Sequence, residues 1–315
     1  GDYSSDIFTA SGNTYVGNQV PIIEISSMNV VGNVTWGSSF PYVISGTVVV
    51  NQGATLTMNP GVIIKGRINN SLFMIQGTLL ALGTAEAPII FTAANDDAAG
   101  GDTDGDGGIP EAGYWKGIRV EPTGTARFDH TAVRYAGGYE YAYTEFSNLI
   151  NQGGTLEFTN SETSFASQNG IKHNAGTTTV AGSNLTNNGA YGIESSLFSS
   201  NIDARNNWWG SPSGPYHATK NPDGTGNGIS GRVSFQPWAM APFDIGLSCV
   251  VGTKGCYSNV LFLPGIMGSN LYQSDEEKCW LQDMNHVGDT DYDCVRMSSA
   301  DTPNTSGLRT KNLVS

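Results

Sequence analysis

Three aspartates at alternate positions, Asp102, Asp104 and Asp106, are followed directly by Gly107. The run matches D-x-D-x-D-G, the first half of a calcium-binding loop. Alternating carboxylates on a tight turn offer the hard oxygen donors that calcium takes. Such a loop closes with an acidic residue at its twelfth position, which here is Gly113; Glu111 is near but misplaced. The loop is therefore partial. It reads either as a calcium site or as a solvated acidic loop.

A second constellation follows it. Lys116, Arg119, Asp129, His130, Arg134 and Glu140 are expected to share one outer face, where carboxylates and bases together could cleave a polysaccharide. Beside them Tyr135, Tyr139, Tyr141 and Tyr143 offer rings that can stack on sugars, with Arg134 as a polar partner. The plainer reading is an exposed face with loop aromatics. Carbohydrate binding without cleavage lies between the two. His173, His217 and His286 stand alone and indicate no chemistry.

The elements that must position these residues are short strands. Between Val43 and Thr92 the chain alternates apolar runs such as Thr47-Val48-Val49-Val50 and Leu72-Phe73-Met74-Ile75 with Gly, Asn and Pro. This is strand, turn, strand, with no room for a helix. The turns recur: Gly53-Ala54-Thr55-Leu56, Gly77-Thr78-Leu79-Leu80, Gly124-Thr125-Ala126, Gly154-Thr155-Leu156 and Gly176-Thr177-Thr178-Thr179. A repeat of this length suits one coil of a right-handed, single-stranded parallel β-helix, an all-β solenoid in which stacking buries what one coil cannot. A β-sandwich would have the same strand content but no fixed period. The expected domains are an N-terminal cap over 1–42, the β-helix over 43–245 and a C-terminal extension over 246–315. Residues 95–108 are expected to be thrown out as a loop. Asn151, Asn174, Asn188 and Asn206 are placed at turns, where stacked asparagines bond along a solenoid.

Composition narrows the class. With 41 Gly in 315 residues and only 14% charged residues, the chain suits a many-turned solenoid. A net charge of −13 argues against nucleic acid or anionic membranes as partners. No apolar run is long enough for a membrane span. Gly1 reads as a mature or trimmed start, and a secreted monomer is expected. All four cysteines, Cys249, Cys256, Cys279 and Cys294, fall in the extension. Two disulfides are expected, and the local pairing Cys249–Cys256 with Cys279–Cys294 is the simplest of the three pairings.

Two resemblances follow from these motifs. Gly77-Thr78-Leu79-Leu80-Ala81-Leu82-Gly83, Trp115-Lys116-Gly117-Ile118, Asn206-Asn207-Trp208-Trp209-Gly210 and Gly228-Ile229-Ser230-Gly231 resemble bacterial secreted pectin-lyase-like β-helices. That scaffold hosts lyases, glycoside hydrolases, adhesins and binding modules, so it implies a fold and a polysaccharide or surface-glycan partner, not one reaction. Separately, Val260-Leu261-Phe262-Leu263-Pro264-Gly265-Ile266-Met267-Gly268 resembles the first strand and oxyanion loop of the lecithin:cholesterol acyltransferase and lipase group of α/β-hydrolases. Cys279 through Cys294 then looks like that family's disulfide-closed lid loop. The resemblance implies an oxyanion donor at the Ile266 backbone N–H, on the turn made by Pro264 and Gly265, and a lipid or ester substrate for a longer parent protein. No G-x-S-x-G elbow occurs in the chain; Gly210-Ser211-Pro212-Ser213-Gly214 has proline at the serine position. Without nucleophile or base, the 315-residue chain should not turn over a nitrophenyl ester. Robust turnover would place a catalytic serine where no motif marks one.

Overall fold

The computed structural model describes residues 21–69, 71–138, 147–196 and 202–247, and the backbone of 271–272 and 309–310. The chain divides into two compact units, 1–248 and 249–315. In the second, strands Leu271–Tyr272 and Arg309–Thr310 pair antiparallel. The four cysteines and Pro264-Gly265-Ile266 lie outside the described residues.

The first unit is a parallel β-helix. Its strands form three ladders, and the chain visits them in rotation. Ladder A has seven strands: β1 (Ile23–Ile25), β4 (Tyr42–Ile44), β7 (Ile63–Gly66), β10 (Ile89–Ala93), β13 (Thr131–Arg134), β15 (Glu162–Ser164) and β17 (Asn184–Thr186). Ladder B begins with β2 (Met28–Val30), β5 (Thr47–Val50), β8 (Leu72–Ile75) and β11 (Gly117–Val120). Ladder C begins with β3 (Asn33–Trp36), β6 (Thr55–Met58), β9 (Thr78–Leu82) and β12 (Thr125–Asp129). The long strands β14 (Ser147–Thr159) and β16 (Asn169–Ala181) run through both B and C, with register irregularities at Asn151–Gln152 and Gln152–Thr155. The stack ends in β18 (Tyr191–Ser195) and β20 (Gly228–Ser230) on B, and β19 (Ile202–Asp203) and β21 (Val233–Ser234) on C. Residues 23–36, assigned from sequence to a cap, form β1, β2 and β3, paired in register with the following coil.

The recurring threonine turns are one column of this register. Thr55, Thr78, Thr125, Thr155 and Thr177 pair in succession. Inward positions stack likewise: Val48, Phe73, Ile118, Leu149, Ile171, Ile193 and Ile229 form an unbroken apolar column. An aromatic run threads the interior, Trp36–Phe73–Phe91–Phe128–Phe158, with centroid spacings of 6.0, 5.6, 6.1 and 5.9 Å. Mostly edge-on and tilted contacts suit the aromatic quadrupole.

Two corners bound ladder A with left-handed backbone. Between C and A the residues are His130, Asn160, Gly182 and Asn206, at φ 43–59°. Beside them a buried bond ladder runs along the axis: Thr131 N–H donates to Ser161 Oγ (3.1 Å), Ser161 N–H to Ser183 Oγ (3.1 Å) and Ser183 N–H to Asn207 Oδ1 (2.8 Å). After ladder A the left-handed residues include Asn69, Tyr135, Phe165 and Asn187, at φ 54, 58, 55 and 56°. Here Asn188 and Asn227 bond each other through side chain and backbone, as stacked asparagines should. Asn151 lies buried within β14, and Asn174 bonds Gln152 Oε1.

One inward column changes character. Val50, Ile75 and Val120 give way to Asn151, His173 and Ser195. His173 is fully buried. Its Nδ1 lies 2.9 Å from Thr178 Oγ1, which also accepts from Asn151 Nδ2, while its Nε2 is buried without a partner. Burial lowers the His173 pKa because the imidazolium would lose its hydration. Unfolded chains therefore take up this proton at a higher pH than the folded protein. Stability conferred by the neutral ring is complete above the ordinary histidine pKa of about 6.5. It is lost as pH falls below that value toward the lowered folded pKa. Urea titrations between pH 7 and pH 5 should show this loss, and His173→Gln should flatten that limb. An unchanged slope in the variant would assign the acid sensitivity elsewhere.

Candidate functional site

The acidic loop leaves ladder A after β10 and rejoins the helix at Trp115. Part of it folds down onto ladder A, while Asp102 and residues 105–107 stay exposed. Asn95, Asp96 and Thr103 in it are buried. Beneath it Lys65, on β7, is fully buried and donates from Nζ to Gly101 O at 2.7 Å. Desolvation lowers the Lys65 pKa, and the charges of Asp96, Asp97, Asp104 and Asp102 oppose that shift. This lysine fastens the loop from below.

Asp97, Asp102, Asp104 and Asp106 each bring a carboxylate oxygen into one cluster, all within 4.8 Å of one another. Oxygens bound to one calcium at about 2.4 Å cannot lie farther apart than about twice that distance, so the set fits a single coordination shell. The loop's own amides orient two members. Asp102 Oδ1 accepts from Gly105 N–H (2.6 Å), and Asp106 Oδ1 accepts from Gly108 N–H (2.7 Å). Asp97 Oδ1 and Asp104 Oδ1 are buried atoms with no hydrogen-bond partner. Hard oxygens left unpaired are the donors a divalent cation takes. Asp97 lies five residues before the motif. Only the fold back over Lys65 adds it to the three aspartates legible from sequence.

The loop borders an aromatic and charged strip. Trp115 packs on Gly66, where even a Cβ would come within 2.8 Å of the ring, and its Nε1 donates to Arg134 O at 2.7 Å. The next residue, Tyr135, stacks on Phe165 one coil on, with centroids 5.0 Å apart and planes 9° from parallel. Left-handed backbone is uncommon for bulky side chains, and here two in succession use it to hold rings side by side. Phe165 remains 38% exposed. Arg134 pairs with Glu162 at 3.3 Å on the same ladder. Burial raises the Tyr135 pKa, with Asp96 adding to the shift, so the phenol stays a neutral donor. Phe165 was not legible as a site residue; its signal is position, one coil after Tyr135.

Other sequence candidates do not meet here. Arg119 is buried on ladder B and bound to Glu121 at 2.7 Å. Asp129 and His130 sit together at the corner between C and A, 3.2 Å apart. The single face expected for Lys116, Arg119, Asp129, His130 and Arg134 is thus divided among different sides, because each coil turns at every ladder. Tyr139, Glu140, Tyr141 and Tyr143 lie outside the described residues.

Burial raises the pKa of both Asp97 and Asp104. Desolvation is the main cause, followed by Asp102 for Asp97 and by Asp106 for Asp104. Folded carboxyls with raised pKa values favour folding at low pH and lose that contribution as pH rises through the folded value. At pH 7, in chelator, Asp104→Asn should therefore melt higher than the parent chain, because it removes a repelling charge. A lower melting temperature would mean that attraction to Lys65 outweighs the burial and repulsion acting on Asp104.

Residues 27–140 match the family model described as a pectate-lyase-like β-helix domain. No curated protein and no solved structure matches the chain. The matched stretch contains the coils that carry the acidic loop, Trp115 and Arg134, and the parallel β-helix is the fold that match and structure share.

Proposed function

We propose that this β-helix is an extracellular, monomeric glycan-binding module that uses calcium and is not catalytic alone. In the same reading, its parent chain is a secreted serine-type ester hydrolase or acyltransferase acting on lipid or other acyl esters. The stacked pair Tyr135–Phe165 carries the glycan reading. A half-exposed ring, held by strained backbone beside the Arg134–Glu162 ion pair, suits a sugar ring with hydroxyls at its edge. The family match supports a polysaccharide partner. Calcium at Asp97, Asp102, Asp104 and Asp106 would replace the repulsion among them with shared attraction and fix the loop that borders the strip. The ester-hydrolase reading rests on Pro264-Gly265-Ile266 and the cysteines.

A polysaccharide-cleaving enzyme is the second reading, and the family match is what favours it. Cleavage needs a base beside the carboxylates. Arg119, His130 and Arg134 are each engaged by a local carboxylate.

One experiment addresses the module. Native gels cast with polygalacturonate or with neutral polysaccharides should retard the protein in calcium, and Phe165→Ala should migrate at least about tenfold less retarded in apparent affinity. At calcium about a hundredfold above its Kd, the folded protein should gain about 2.7 kcal/mol over the chelated form. Asp104→Asn should abolish that gain. Equal mobility of parent and Phe165→Ala in every gel would remove the glycan reading; identical melting in calcium and chelator would remove the cation.

A further inference from the structure

At the end of the stack, the chain passes from β19 to Trp208, which bridges back to Asn184 on ladder A. Residues 210–227 then form a loop before β20. This loop is held by many small contacts. The hydroxyls of Ser211, Ser213 and Thr225 lie 2.7–2.9 Å from one another. Asn221 Nδ2 donates to Ser213 O and Pro215 O, each at 2.8 Å. Trp238 Nε1 donates to Pro212 O at 3.0 Å. A loop tied this way keeps its shape without a ligand.

Between the loop and the corner at 187–190 is an open groove of about 350 Å³. Asn187, Ala190, Tyr216 and Thr225 line it together with Trp209, Gly210 and the run 226–228. Asn187 is the left-handed residue at this corner one coil after Phe165, so the groove continues the same corner. None of the lining side chains carries a charge at neutral pH. Amide and hydroxyl groups provide both donors and acceptors. Tyr216 leaves 47% of its surface exposed. Its backbone is structural, since its N–H donates to Gly226 O (3.2 Å) and its carbonyl accepts from Ile229 N–H (3.0 Å). Its ring is not needed for either bond.

We propose that this groove binds a neutral sugar, about one or two pyranose units of a longer chain. A pyranose has an apolar C–H face for the Tyr216 ring and a rim of hydroxyls for Asn187 and Thr225. A charged ligand would enter without a counter-charge, and an apolar one would strip water from the exposed Asn187 amide. The volume is at the small end of ligand sites, which run to about 1,000 Å³. This site depends on neither the calcium cluster nor Phe165.

Isothermal titration with neutral tetrasaccharides of glucose, mannose, galactose and xylose, and with oligogalacturonate as the charged control, tests it. At least one neutral sugar should bind, and the charged control should not compete for it. Tyr216→Phe should retain the affinity and Tyr216→Ala should lose it at least about tenfold. Asn187→Gly, which keeps the left-handed backbone while removing the amide, should weaken binding severalfold. Phe165→Ala should leave this binding unchanged, which separates failure here from failure of the aromatic strip. Binding by none of the neutral sugars, or equal binding by the parent, Tyr216→Ala and Asn187→Gly, overturns the proposal.

Discussion

Coil-to-coil register is the constraint on which this molecule depends. Parallel backbone bonds hold neighbouring strands about 4.8 Å apart, so each side chain lies over its counterpart in the coil before. Any change in the number of residues between two ladders must be absorbed inside one corner, or every later side chain would exchange inside for outside. The helix meets this demand differently at its corners. Between C and A a single left-handed residue is allowed per coil, from His130 to Asn206, with the Thr131–Ser161–Ser183–Asn207 bonds locking it. Between B and C, β14 and β16 continue from one ladder to the next with two register shifts, at Asn151–Gln152 and Gln152–Thr155.

Interior chemistry follows from the same stacking. A column that starts apolar remains comfortable only if the next coil presents another apolar group. Val48 through Ile229 does so. Val50, Ile75 and Val120 lead instead into Asn151 and His173, and the polar groups survive there because Thr178 and the carbonyl of Thr177 answer them. A buried polar group without such partners would destabilise the fold by about 1–3 kcal/mol.

Much of the architecture was legible because the repeat writes itself into the chain. The Gly-Thr echoes became paired threonines, and the Trp115-Lys116-Gly117-Ile118 motif became the return to ladder B after the long loop. Side-chain convergence was less legible. Asp102, Asp104 and Asp106 announce themselves by spacing, whereas Asp97 joins them only through the fold of the loop over Lys65. Arg119 and His130 looked like neighbours of Arg134 along the sequence, yet rotation among three ladders carries them to other sides. Phe165 and Asn187 share a corner with Tyr135 although 30 and 52 residues separate them from it, a proximity that only coil counting could reveal.

Long connections gather at one corner, between ladders A and B. In β7 to β8, β15 to β16 and β17 to β18 the link is four or five residues, but β10 to β11 and β13 to β14 are far longer, and the closing loop before β20 falls at the same place. Doubling the length of a loop costs only about 0.6 kcal/mol of closure entropy. This corner can thus vary in length and sequence while the ladders keep their register. New specificities can accumulate there by insertion, and grafting foreign recognition loops onto the solenoid would begin at these same junctions.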